Sequence, residues 1–177
     1  MKLFGKIALF IITSCIIASC NSSKNLTDST PIETYIPCFE EGKSDNHFYR
    51  ASANATSSNI GIAKEKAIAE AKALIAKQIM DRAKSAANQY ATEMQITDKQ
   101  AFIKRIELST IKTADITLKG LVPFCEKYSE ANDRYTAYVS IEIGKQRVAE
   151  ELNRQITNAI PDFDNEKFGT MFGSFDK

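Results

Sequence analysis

Apolar and polar positions change period repeatedly along this chain. From His47 to Thr56 they alternate. Tyr49, Ala51, Ala53 and Ala55 fall on one face, and Phe48, Arg50, Ser52, Asn54 and Thr56 on the other. A period of two predicts a strand, here with one unusually small face. From about Asn59 the period lengthens. Ala63, Ala67, Ala71, Leu74, Ile75 and Ile79 recur at three- and four-residue steps, with Lys64, Glu65, Lys72 and Lys77 facing outward. This predicts a helix to about Tyr90, roughly 50 Å long at the helical rise per residue. Its alanines and those of the strand are expected to face each other, because small side chains let backbones approach closely.

Thr97-Asp98-Lys99-Gln100 reads as a capping box opening a second helix, with Phe102, Ile106 and Ile111 on or near one face. Asp115 to Tyr128 reads as a strand with Ile116, Leu118, Val122 and Phe124 on one side; Gly120 suggests a bulge and Pro123 an edge. Ser129 to Asp133 turns the chain, and Tyr135, Ala137, Val139, Ile141 and Ile143 alternate to complete a hairpin. A further helix runs from about Lys145 to Ile160, with Val148, Ala149, Leu152 and Ile156 inward and Pro161 after it. The expected fold class is α+β. It has a three-stranded sheet, element order β-α-α-β-β-α, and the long Ala-rich helix packed on one face.

The ends of the chain have a different character. Lys2 and Lys6 precede an apolar stretch from Ile7 to Ile17, interrupted only by Thr13, Ser14 and Cys15. That stretch is shorter than the roughly 20 residues a bilayer core requires, but it suits the h-region of a signal peptide. Ile17-Ala18-Ser19-Cys20 follows. A branched apolar residue, two small residues and a Cys resemble the bacterial lipobox. The resemblance implies a signal peptide over residues 1–19, cleavage before Cys20, and acyl chains on Cys20 that hold the protein at a membrane. Asn21 rather than Asp follows the cysteine, which by analogy with Gram-negative lipoprotein sorting implies the outer membrane, and the lack of an acidic run after Cys20 favours its periplasmic leaflet over surface export. Residues 20–37 are rich in Ser, Thr, Asn and Lys and read as a flexible tether. Within it, Asp28-Ser29-Thr30 matches a short bacterial O-glycosylation pattern, making Ser29 a glycosylation candidate. Residues 38–160 form the expected domain.

Residues 161–177 form an aromatic tail. Phe168, Met171, Phe172 and Phe175 have i, i+3, i+4, i+7 spacing. Gly169 and Gly173 each cost a helix about 1 kcal/mol relative to Ala, so the tail needs a surface to dock on. Two surfaces are open to it. The leading expectation is its own domain; the alternative is an envelope protein partner or a second copy of the chain.

The 177 residues carry a net charge of +1, and losing Lys2 and Lys6 with the signal leaves about −1. Such a near-neutral chain has no electrostatic footprint for nucleic acid. Of the four cysteines, Cys15 leaves with the signal and Cys20 carries lipid, so Cys38 and Cys125 remain. In an oxidising compartment they can pair in a disulfide, or each can be buried as a free thiol.

Catalytic chemistry lacks its residues. His47 is the single histidine, so any nucleophile–base arrangement would need it as base. No His-x-x-x-His or Cys-x-x-Cys pair supports zinc. Gly42-Lys43-Ser44 looks like the end of a P-loop, but Pro37 stands where the first Gly belongs. Asp162, Asp164 and Glu166 alternate like a calcium loop, but Lys167 and Gly173 replace its turn Gly and bidentate Glu. No cofactor, metal or enzymatic activity is expected.

The strand bearing Tyr49-Arg50-Ala51-Ser52-Ala53, the helix running from Ala67 to Ile79 and the later hairpin together resemble the twenty-kilodalton bacterial lipoprotein family. They are also similar to the N-terminal domain of flagellar assembly protein T. The likeness covers about residues 45–160, with Ser52 in place of an expected Gly and Lys72 in place of an Arg. The resemblance implies an envelope lipoprotein with an α+β domain and no catalytic residues. A binding or scaffolding role is the leading expectation. The competing one is an enzyme or small-ligand-binding periplasmic domain, which would need a pocket converging on His47, Arg50 and Cys38.

Overall fold

The computed structural model describes residues 35–173. Its elements are β1 (Phe48–Ser57), α1 (Ile60–Glu93), α2 (Lys99–Leu118), β2 (Cys125–Ala131), β3 (Arg134–Gly144), α3 (Lys145–Ala159) and α4 (Asn165–Phe172). The strands form one antiparallel sheet in spatial order β1-β3-β2. The fold is therefore α+β with the β-α-α-β-β-α order that the hydrophobic pattern predicts, extended by α4.

The core is built around α1. Asn59 caps the helix, its side-chain oxygen accepting from Ile62 N–H at 3.1 Å. One stripe of the helix, Ala63, Ala67, Ala71, Ile75, Ile79, Ala83, Ala87 and Ala91, is entirely buried. Small residues at four-residue steps leave room for the helix to lie close on β1 and β3, where Ala51, Ala137, Val139 and Ile141 are buried too. Leu74 lies one position, and so about 100°, off this stripe and is exposed. The hairpin turns at Asn132 and Asp133, with φ of 51° and 55°. Two consecutive positive φ angles match the right-handed twist of the strands, and Asn and Asp tolerate them best after Gly.

The second helix departs from the pattern read in the sequence. Asp98, not Thr97, caps it, accepting from Ala101 N–H at 2.9 Å. The helix continues to Leu118, so residues 115–118 are helical rather than extended. Gly120, at φ +74°, lies just beyond the helix end as its left-handed terminator and not as a bulge. Pro123 sits in the loop before β2, which starts only at Cys125. The misleading feature is the polarity of the buried face, which carries Ser109, Thr110, Thr113 and Thr117. Each threonine hydroxyl donates to the carbonyl four residues back, at 2.7, 2.9 and 2.8 Å. These groups are satisfied locally, so burying them leaves no unpaired donor. Ile111, Ile116, Val122 and Phe124 are all exposed.

The tail is part of the domain as far as Gly173. Asp164 caps α4 through Lys167 N–H at 2.9 Å, and Arg82 Nε on α1 donates to the Phe172 carbonyl at 2.6 Å. Phe168 is fully buried. Its ring centroid lies 5.3 Å from Phe163, 6.1 Å from Tyr90 and 6.2 Å from Phe172. Phe102 of α2 joins this cluster, stacked on Tyr90 at 5.5 Å. Offset and edge-on aromatic pairs of this kind add to the energy of area burial.

Candidate functional site

The sheet face opposite α1 gathers the residues that the sequence singled out. Strand register places Phe48, Arg50, Ser52, Asn54 and Thr56 there, alongside Glu142, Ser140, Tyr138 and Thr136 of β3 and Cys125 and Lys127 of β2. The segment from Tyr35 to Ser44 crosses this face and is fixed to it at three points.

A disulfide joins Cys38 to Cys125, 87 positions apart in sequence, with Cα atoms 5.6 Å apart. The Cys38 carbonyl accepts from Ser52 Oγ at 2.7 Å and from Ser140 Oγ at 2.5 Å. Cys38 is buried and takes φ +63°. Gly42 rests directly on Ser52, where an added Cβ would overlap the Ser52 side chain, so only glycine fits this crossing.

Arg50 is the charged hub of the same face. Its Nε donates to Glu142 at 2.7 Å and its Nη1 to Asp45 at 2.5 Å. The guanidinium lies 4.9 Å from the Phe48 ring centroid and 5.9 Å from that of Phe124. Asp45 also accepts from the backbone N–H groups of His47 and Phe48, both at 2.8 Å. Those two backbone bonds, then Arg50, hold its carboxyl well down, to about 2. Glu142 and Asp45 in turn raise the Arg50 pKa. Ser44 Oγ accepts from Arg50 N–H at 2.8 Å, and Gln78 Nε2 donates to the Arg50 carbonyl at 2.8 Å. The outward-facing backbone of β1 is thereby occupied at this point, which blunts an edge strand.

This arrangement does not make a catalytic centre of His47, Arg50 and Cys38. The Cys38 sulfur is in the disulfide, Arg50 is held by two carboxylates, and His47 is exposed. Two open clefts lie elsewhere. One, of about 380 Å³, is lined by Lys72, Ala73, Ala76, Ala114, Asp115 and Leu118 between α1 and α2. The other, of about 400 Å³, is lined by Arg82, Ser85, Gln89, Glu93, Lys167 and Thr170 between α1 and α4. Neither is lined by His47, Arg50 or Cys38. Among the described residues, no three His, Cys, Asp or Glu side chains gather as metal ligands. Asp164, from the apparent calcium pattern, is spent on capping α4.

The remaining candidates separate clearly. Cys20, Ser29 and Phe175 lie outside the described residues. As partner anchors, Phe168 and Phe172 are corrected by their burial: both face their own domain's core, so neither is available to another chain. Met171 is half-buried at the edge of the α1–α4 cleft. What sequence reasoning missed is an exposed apolar group around the disulfide: Tyr35, Ile36, Phe39, Val122 and Phe124. The signal was present in the short runs flanking Cys38 and Cys125, but it emerges only once those cysteines are joined.

Comparison of the chain with family models, with curated proteins and with solved structures finds no match.

Proposed function

We propose that this protein is a lipid-anchored lipoprotein of a bacterial cell envelope, and that its domain acts by binding or scaffolding rather than by catalysis. The observation that carries the reading is the tetrad Ile17-Ala18-Ser19-Cys20, set behind two lysines and an apolar run of h-region length. The disulfide supports it, since pairing of the only two cysteines after Cys20 suits an oxidising compartment. Among the described residues, no helix is long and apolar enough to cross a membrane. Acyl chains on Cys20 would supply the attachment. Several chains on one residue hold a protein at a bilayer far more firmly than a single chain does.

Asn21 directs the proposal to the outer membrane, and the absence of an acidic run after Cys20 to its periplasmic leaflet. The likeness of the strand, Ala-rich helix and hairpin to the twenty-kilodalton lipoprotein family supports a non-enzymatic role. The competing enzymatic reading loses its thiol, because Cys38 is bonded to Cys125.

Replacing Cys20 tests the anchor. Cys20→Ala should move the protein from the detergent phase to the aqueous phase, or leave it as uncleaved precursor, in a detergent-partitioning assay. A variant cleaved at the same site that still partitions with wild type into the detergent phase would contradict the proposal.

A further inference from the structure

We infer that the apolar group around the Cys38–Cys125 disulfide is a membrane-docking surface, which lays the outer face of the sheet against the bilayer that holds the lipid anchor. The inference rests on the lipoprotein reading and adds an orientation to it.

Five large apolar side chains are left in water here: Val122 at 77% exposure, Tyr35 at 74%, Phe39 at 52%, Phe124 at 47% and Ile36 at 44%. They belong to two distant stretches of chain that the disulfide holds together. Scattered exposed apolar residues are ordinary, but these five all lie within three residues of a disulfide-bonded cysteine, so the staple holds both exposed runs near one point of the surface. Phe39 donates its backbone N–H to the Ile36 carbonyl at 3.2 Å, and Gly42 donates to that of Phe39, also at 3.2 Å. The presenting segment is therefore a set of ordered turns.

The position of this group in the chain identifies its occupant. It begins at Tyr35, fifteen residues after Cys20, so the chain that leads from the lipidated residue joins the domain at this patch. Fifteen residues span at most about 50 Å when fully extended. The patch is therefore confined within that distance of the bilayer, which raises its effective concentration there.

Its chemistry also fits the interfacial zone. Tyr35, Phe39 and Phe124 are aromatic, and aromatic side chains with aliphatic neighbours settle at the headgroup–acyl boundary. The nearby charges are largely compensated. Lys43 pairs with Glu40, and Arg50 with both Asp45 and Glu142. Docking is thus driven by apolar burial rather than by attraction to anionic lipid, and should be nearly insensitive to salt.

The chain contains no tryptophan, so a single introduced one reports without background. The mature lipidated protein, carrying Phe39→Trp, Val122→Trp or Tyr35→Trp, is reconstituted into phosphatidylcholine–phosphatidylethanolamine vesicles with brominated acyl chains. Leu108→Trp, at an exposed site on α2 that packs on α1 and α3, is the reference. All four positions are exposed, so the substitutions leave the core intact. Quenching at positions 35, 39 and 122 should exceed that at 108 by about twofold or more, as expected for side chains in the acyl boundary. Protein that floats with the vesicles but is quenched no more at 39 and 122 than at 108 overturns the docking surface while leaving the anchor standing. Site-specific crosslinking between copies through position 39 under those conditions would assign the patch to self-association instead. Protein that fails to float at all overturns both the anchor and this inference.

Discussion

Phe168→Ala is expected to destabilise the domain by about 3–5 kcal/mol, the range for emptying a fully buried aromatic site. The ring is completely buried, with Tyr90, Phe163 and Phe172 around it. The element that carries it has little stability of its own. At eight residues α4 is well below the length at which isolated helices persist, and it contains Gly169. Its hold on the domain is the aromatic cluster, the Arg82 bond to the Phe172 carbonyl at 2.6 Å and the Asp164 N–H to Tyr90 Oη at 3.3 Å. Losing the central ring should release the whole helix, so the effect should reach the upper part of that range. A thermal scan should show a midpoint lower by on the order of 10 °C. Light scattering should give the same molecular mass for variant and wild type, because the ring faces inward. A variant that melts with wild type would contradict the packing described for α4.

Removing the disulfide should have an effect of similar size by another route. Its closed loop spans 87 positions, and in the chain-entropy model releasing a loop of that length costs about 4–5 kcal/mol, an upper figure for the double variant Cys38→Ser, Cys125→Ser. The native contacts of the segment 35–44 would remain, since Cys38 is also held through its carbonyl by Ser52 and Ser140. The loss should therefore appear mainly as a lower denaturant midpoint, with earlier proteolysis before β1. Wild-type protein taken from the envelope and alkylated under denaturing, non-reducing conditions should show no free thiol. Two labelled cysteines would contradict the pairing.

The sequence carried β1, β3 and α1 almost completely, because Ala51, Ala137, Val139 and Ile141 alternate without interruption and the alanines of α1 recur at one spacing, whereas β2 starts ten residues later than the pattern suggests. It misled at the end of α2 for a physical reason. Helical burial of Thr110, Thr113 and Thr117 depends on hydroxyls turned back onto their own helix, and a polarity pattern registers those residues as outward-facing. Meanwhile Ile116, Leu118, Val122 and Phe124 alternate across a helix end and a loop, imitating a strand. The tail's apolar spacing was legible, but its docking surface was not, since the receiving side chains come from α1 and α2. The patch around Cys38 was invisible for a related reason. Tyr35, Ile36 and Phe39 form one short apolar run, Val122 and Phe124 read as one side of a strand, and only the disulfide brings the two together. Arg50 likewise becomes a hub only through strand register, which sets Glu142 beside it, and through the turn that returns Asp45.

The central claim is that Cys20 is a lipidated amino terminus, and its chemical state tests this most directly. The measurement is mass spectrometry of the N-terminal peptide from protein extracted out of its native envelope. The predicted peptide begins at Cys20 and carries a thioether-linked diacylglyceryl group, with or without a further acyl chain on the new amino terminus. A peptide still joined to Ser19, or one beginning at Cys20 with an unmodified thiol, would contradict the account.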